Sequence, residues 1–226
     1  MDLQDVWVVM AAYNEGSAVE VVVNDIRSLG YSVVVVDDGS ADQTAAVARR
    51  AGADVVTHPF NLGQGAALQT GIEYALRRNA KYIVTFDADG QHDPDDIMKM
   101  LEALITANAD IVCGSRFQGA TENMPSSRKA LLKLAILFTK ATTGIKMTDA
   151  HNGFRVMTAD CAKKIKISQN RMAHASEIIS MIASLRLKYT EAPVSVKYTP
   201  YSLAKGQRIS GALNILIDLI FRGLHR

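Results

Sequence analysis

Two carboxylates one residue apart, Asp87 and Asp89, close the apolar run Tyr82-Ile83-Val84-Thr85-Phe86 and lead into Gly90-Gln91-His92-Asp93-Pro94. If that run is a buried strand, positions i and i+2 share a face, so the pair converges on one point at the strand's exit. Oxygen donors of this kind suit Mg²⁺ or Mn²⁺, ions that keep several waters and bind through one or two carboxylates plus substrate phosphates. A metal held against a diphosphate is the chemistry this spacing offers. The plainer alternative is an Asp-rich turn that binds nothing.

Three more polar clusters could share such a site. Asn61-Leu62-Gly63-Gln64-Gly65-Ala66-Ala67-Leu68 carries a G-x-G-x-x pattern leading into a helix. Leu68 replaces the third glycine of a dinucleotide fingerprint, and the motif follows the third strand candidate, where the fingerprint belongs after the first. A tight turn with close backbone packing is therefore the preferred reading over phosphate cradling. A G-x-x-x-x-G-K-[ST] loop is missing, which removes the defining part of P-loop chemistry. In Asp37-Asp38-Gly39-Ser40, one carboxylate is expected to accept from a nucleobase N–H while the other caps the turn, and Asp38 is the choice for the base. Glu15 is a similar candidate, although acids near helix starts are ordinary capping features. Arg116 directly follows the fifth strand candidate, and Arg128 lies at the next helix start; guanidinium groups suit phosphate through two parallel donors.

The elements that must position these residues alternate. Val6–Ala12, Val33–Asp37, Val55–Thr57, Tyr82–Asp87 and Asp110–Gly114 read as strands, and Ala18–Leu29, Asp42–Ala51, Ala66–Arg78 and Pro94–Ala107 as helices. Asp42 and Asp93 are the expected N-caps, with Pro94 at a first helical position. The βαβα rhythm predicts an α/β fold with a parallel sheet covered on both faces. Ligands gather outside the carboxyl ends of such strands, where the loops at 13–16, 37–40, 61–65 and 87–92 all fall, making one cleft.

Beyond residue 115 the rhythm changes to a polar loop over 118–127, helices over Arg128–Thr142 and Ala173–Leu185, the run Thr148–Arg155, and two short extended runs around Pro193. The lack of a linker-like segment predicts that this half completes the same domain. With 226 residues, 48% hydrophobic and 21% charged, the chain can bury a substantial core. A net charge of +2 argues against bulk nucleic acid as the main partner. Cys113 and Cys161 form no metal-ligand spacing and fit a reducing, cytosolic compartment. The first residues lack a signal-peptide pattern, and no stretch approaches the roughly 18 apolar residues of a spanning helix, so a soluble or peripheral protein is expected.

Ala12-Tyr13-Asn14-Glu15, Val36-Asp37-Asp38-Gly39-Ser40, the 61–67 loop, Asp87-Ala88-Asp89-Gly90-Gln91-His92, Gly114-Ser115-Arg116-Phe117 and Gly153-Phe154-Arg155 occur in that order. Together they closely resemble the family 2 glycosyltransferases of GT-A fold, in particular the dolichyl- or polyprenyl-phosphate mannose (or glucose) synthase-like branch, over nearly the whole chain. The resemblance implies a nucleotide-diphospho-sugar transferase fold, Rossmann-like, with a mostly parallel sheet flanked by helices and C-terminal amphipathic helices. It implies a single domain over 1–226, in which 1–115 binds the nucleotide sugar and 116–226 serves the acceptor. It further implies a UDP- or GDP-linked sugar donor, a divalent cation (Mg²⁺ or Mn²⁺), a polyprenyl phosphate acceptor and inversion at the anomeric carbon. Ala11, Tyr13, Glu15, Val36 and Asp38 match nucleoside-binding positions; Asp87, Ala88, Asp89 and Gln91 match diphosphate and metal positions. Arg116 and Arg128 match basic residues near the phosphates, and Lys205 resembles the late lysine of a mobile loop. The chain departs from the pattern at Ala11 (usually proline), Gln64 (often lysine, at a donor-side position), Tyr201 (commonly basic) and His151-Asn152 (usually small or hydroxyl residues).

In that reading Asp87, Asp89 and Gln91 hold a metal that neutralises the departing diphosphate. A phosphate acceptor needs no protein base, whereas a sugar hydroxyl does, and Glu177 is then the candidate, unless it serves as a helix carboxylate orienting a cationic partner. The tail 212–226 is apolar nearly all round, with Asn214, Asp218 and Arg222 forming a narrow polar stripe, and Arg128–Lys140 has a similar character. Both suit either a membrane interface at the cytosolic face or packing, including against a homo-oligomer partner. Two rivals stand beside transfer to a lipid phosphate: transfer to a glycan hydroxyl in O-antigen, capsule or exopolysaccharide assembly, and a non-catalytic nucleotide-sugar-binding or scaffold protein.

Overall fold

Runs such as Val33-Val34-Val35-Val36 are β-branched and apolar at every position, which leaves no face for water and demands helices on both sides. The computed structural model describes residues 2–170 and 173–198, apart from the side chains of Arg128 and Leu131. In it β1 (Val6–Ala12), β2 (Ser32–Asp37), β3 (Asp54–Thr57), β4 (Tyr82–Thr85), β5 (Ile111–Ser115), β7 (Arg155–Thr158) and β8 (Tyr189–Pro193) form one sheet in the order β3-β2-β1-β4-β7-β5-β8. Between them run α1 (Val19–Ser28), α2 (Thr44–Arg50), α3 (Gln64–Arg77), α4 (Asp96–Thr106), α5 (Ser126–Thr143), α6 (Ala159–Lys164) and α7 (His174–Ser184). A small parallel pair, β6 (Thr121–Glu122) with β9 (Val196–Lys197), stands apart.

Alternation along β1 sorts the core. Val6, Val8, Met10 and Ala12 face α1, α2 and α4, whose buried stripes include Val22, Val23, Ile26, Val47, Ile97, Met100, Leu101 and Leu104. Val9 faces the opposite layer, where Leu68 and Ile72 of α3, Cys161 of α6 and Ile178, Ile179 and Ile182 of α7 pack. Each such Val, Ile or Leu contributes about 1.5–3 kcal/mol when fully buried.

Among the described residues the expected strands and helices are present, with shifted ends. Both expected caps fall short of the helix starts: Asp42 precedes the N-cap Gln43 by one residue, its Oδ1 accepting from Thr44 N at 2.9 Å, and Asp93 Oδ1 accepts from Asp95 N at 3.1 Å while the regular helix begins two residues after Pro94. Sequence periodicity missed β7 and α6. β7 is antiparallel to both neighbours, pairing Thr85 with Arg155 and Cys113 with Arg155, so the loop before it arrives at the same sheet edge that the parallel strands reach with their carboxyl ends. Among the described residues no helix is long and apolar enough to cross a membrane.

Candidate functional site

β1 lies between β2 and β4, where successive crossovers diverge, and the loops after these three strands meet above that point. Phe86 N donates to Val9 O at 3.0 Å, carrying the chain one residue past β4 and delivering Asp87 to the mouth of the cleft. The two carboxylates do not converge through strand alternation, as the spacing suggested. The strand stops at Thr85, a turn follows with Gly90 at φ 72°, and Asp89 Oδ1 accepts from Gln91 N at 3.0 Å. A local turn, rather than the pleat, brings Asp89 back beside Asp87.

Asp87 is enclosed on three sides. Gln64 Nε2 donates to its Oδ1 at 3.2 Å, and His92 Nε2 lies 3.1 Å from its Oδ2. Behind it stands Gly153, where a Cβ would fall 2.6 Å from Oδ2 and 2.8 Å from Oδ1; only glycine fits there. Thr85 Oγ1 fixes that loop by donating to Gly153 O at 2.7 Å. Burial pushes the Asp87 carboxyl up, but the hydrogen bond and charge of His92, with His174 and Arg155 beyond, outweigh it and hold Asp87 below the usual carboxylate range. Asp89 goes the other way, to about 6: burial raises it first, then the charge of Asp87 and more weakly that of Glu15, against relief from Gln91 N–H and His92.

Such a pair is short of positive charge, and its chemistry fits a hard divalent cation. Gln91 adds a buried carboxamide whose Nε2 has no hydrogen-bond partner among the described residues, and a half-turn of that amide presents its oxygen instead. No group of three His, Cys, Asp or Glu side chains among the described residues could cage a metal alone. Two carboxylates completed by a ligand's phosphates are what Mg²⁺ or Mn²⁺ commonly accepts.

At the positions expected to line a nucleoside, Ala11 pairs in register with Val36, Tyr13 is 46% exposed at the edge, and Glu15 N is anchored by Thr44 Oγ1 at 2.8 Å. Val36 is fully buried against α3 and Ala88 lies in the core, so each offers a ligand main chain rather than side chain. Asp38 requires correction. Its Oδ1 takes His58 Nδ1 at 2.7 Å and Leu62 N at 2.9 Å, and its Oδ2 takes Gly63 N at 2.7 Å; the carboxylate clamps the 58–63 loop instead of reaching for a base. Asp37 is the turn cap, accepting from Ser40 N at 3.2 Å. The turn ends at Gly63, with φ 103°, and close packing follows in the first turn of α3: Gly65 N donates to Asn170 O at 2.8 Å, and a Cβ on Gly65 would fall 2.0 Å from Gln169 O.

Arg116 also differs from expectation. Its guanidinium is buried, with Nε 2.5 Å from Asp149 Oδ2 and Nη1 donating to Tyr198 OH at 2.8 Å, so two of its five donors are engaged inside the protein. Burial pulls its pKa down, but Asp149 and Tyr198 outweigh that and keep it cationic. Glu177 is neither a poised base nor a partner for a cation. Its carboxylate accepts from Ser168 N at 3.1 Å, Gln169 N at 2.9 Å and Ser168 Oγ, holding the 168–170 segment against the start of α3. A carboxylate at the first turn of a helix beside free backbone N–H groups satisfies them in this way. The side chain of Arg128, in the first turn of α5, and all of Lys205 and the 212–226 tail lie outside the described residues.

Sequence reasoning did not single out His92, Asp149 or Arg155 by role, though all three lie inside its motifs. Arg155 is 1% exposed, and none of its guanidinium nitrogens has a hydrogen-bond partner among the described residues. Its charge is felt by Asp87 and by His151, whose imidazole is pushed down to about 4, chiefly by burial and then by Arg155.

The mostly parallel sheet flanked by helices, with the acidic pair outside the carboxyl ends of its strands, is of the GT-A fold. Residues 7–166 match the model of glycosyl transferase family 2, and the chain belongs to that family; it is a glycosyltransferase. It is 29% identical, over 95% of its length and 94% of the relative's, to the UDP-N-acetylglucosamine–dolichyl-phosphate N-acetylglucosaminyltransferase of Methanococcus voltae. It is 33% identical, over 71% of its length and 64% of the relative's, to the polyprenol monophosphomannose synthase of Mycolicibacterium smegmatis. The fold is similar to that of glucosyl-3-phosphoglycerate synthase from Mycobacterium tuberculosis, with a TM-score of 0.73, 18% identity and coverage of 96% of this chain and 80% of that one.

Proposed function

We propose that the protein transfers a sugar, with inversion, from a UDP- or GDP-linked donor to a polyprenyl phosphate of undecaprenyl or dolichyl type, using Mg²⁺ or Mn²⁺ and working peripherally at the cytosolic membrane face. The observation that carries the donor half is the Asp87–Asp89 pair, one acid held low and its neighbour raised by burial and then by like charge, at the sheet's switch point. A bound cation would supply Lewis-acid neutralisation of the leaving diphosphate. Asp87, fixed by Gln64 and His92, with Asp89 and Gln91, would hold that ion. Ala11, Tyr13 and Glu15 would line the nucleoside.

The acceptor half rests on relatives whose names carry dolichyl phosphate and polyprenol, and on Glu177. With that carboxylate spent on Ser168 and Gln169, Glu177 is not free to serve a hydroxyl acceptor as base, while a phosphate acceptor brings its own charge. A peripheral location is supported by α5, where Leu134 and Leu137 stand half or more exposed among exposed Lys133 and Lys140.

The test is product analysis with undecaprenyl phosphate as sole acceptor, a panel of UDP- and GDP-sugars, and Mn²⁺ added or chelated. A lipid-linked sugar formed only with metal is the expected result. Donor turnover that yields no lipid-linked sugar would transfer the reading to a hydroxyl acceptor.

A further inference from the structure

We infer that His92 is a positioning residue that locks Asp87 into the orientation a divalent cation needs. The inference rests on the metal–diphosphate reading above and adds the residue that prepares the ligand.

His92 is 7% exposed. Its ring sits in an aromatic nest, with centroids 5.5 Å from Phe86 and 5.4 Å from Phe154, which themselves meet at 5.0 Å. Out of that nest Nε2 points at Asp87 Oδ2, 3.1 Å away, while Nδ1 has no hydrogen-bond partner among the described residues. A carboxylate only accepts, so Nε2 carries a proton and donates, while Nδ1 lies against the rings. The backbone is held as firmly: His92 bridges Val196, and Lys197 N donates to Gln91 O at 2.9 Å, tying the turn to β9.

The effect on Asp87 follows from geometry. A carboxylate's last torsion is soft, so an Asp with one partner turns easily. Here Gln64 holds Oδ1, His92 holds Oδ2, and the space that Gly153 leaves is too small for anything but the carboxylate itself. Outer partners of this kind orient metal ligands, and their loss typically weakens metal binding about 10–100-fold.

The test measures Mn²⁺ affinity in the absence of donor, by the EPR signal of free Mn²⁺, for wild type, H92F and H92Q, with melting temperature alongside. Phe fills the aromatic nest without the N–H; Gln returns an N–H donor near the Nε2 position without the ring. H92F is expected to lose about 10–100-fold in Mn²⁺ affinity while H92Q stays within about threefold of wild type. Wild-type affinity in H92F, or equal losses in both variants, would overturn the inference, the latter by making the ring responsible. A second readout is independent of metal: nitrogen–proton correlation NMR of His92 should show a proton on Nε2 in wild type and a shifted Nε2 in D87N. An Nδ1–H tautomer, or no shift in D87N, overturns the inference. If wild type binds no Mn²⁺, the metal reading fails, and the tautomer alone then decides whether His92 clamps Asp87.

Discussion

At the scale of single residues, the site sets two carboxylates side by side, and the neighbouring His92, His174 and Arg155 favour the charge on Asp87 while Asp89 is left raised. Asp89 is destabilised in the free protein by burial and by Asp87, so D89A should abolish metal-dependent turnover while leaving the fold intact, and stability without metal should rise by on the order of 1 kcal/mol. Turnover with and without EDTA, beside thermal melts, checks this; retained metal-dependent turnover refutes the metal role of Asp89. His151 gives a pH effect of defined sign. Its folded pKa, about 4, lies below the ordinary 6.5, so the unfolded chain binds the proton more readily. Its contribution is intact above about pH 6.5 and declines toward pH 4, by about 1 kcal/mol at pH 5.5. Denaturant unfolding at pH 7 and 5.5 should show a smaller loss for H151Q than for wild type. The carboxylate pair was legible in the sequence because two acids after a strand are a local signal. The partners of Asp38, Arg116 and Glu177 were not, since they lie 20 to 25, 33 to 82 and 8 to 9 positions away and nothing in residue type reveals whether a charge is already engaged.

At the scale of elements, Glu177 shows how a helix can serve a site without touching ligand. Its carboxylate holds the 168–170 segment, whose Asn170 carbonyl receives the first N–H groups of α3, and α3 begins with Gln64 on Asp87. E177A should lower stability by about 1–3 kcal/mol through several lost hydrogen bonds. Residual turnover should fall with an unchanged pH profile, whereas loss of one ionisation limb would restore Glu177 as a general base. The helices and parallel strands were readable because apolar periodicity is local. β7 was not: Arg155-Val156-Met157-Thr158 is short and begins with a cation that ordinarily marks surface. Only pairing with β4 and β5 on both edges makes it a strand, and that pairing is nonlocal.

At the scale of the whole molecule, one sheet edge gathers the donor machinery while α5 presents exposed Leu134 and Leu137 elsewhere on the second half. If that surface meets lipid, the double variant L134E/L137E should bind anionic vesicles at least about tenfold more weakly in co-sedimentation, with melting temperature unchanged, since two exposed apolar anchors become like-charged with the membrane. Unaltered vesicle binding would remove α5 from the interface.

By itself the sequence determined the alternating α/β layers, the cleft at the strands' carboxyl ends and the Asp87–Asp89 pair, because periodicity and strand-end loops are written within a few residues. Tertiary structure alone decided that β7 runs antiparallel and brings Gly153 behind Asp87, that His92 and Gln64 share its two oxygens, and that Asp38 and Arg116 are occupied inside the fold. The reason is physical: a side chain's chemistry follows from its type, but its availability depends on partners that only folding brings within hydrogen-bond reach.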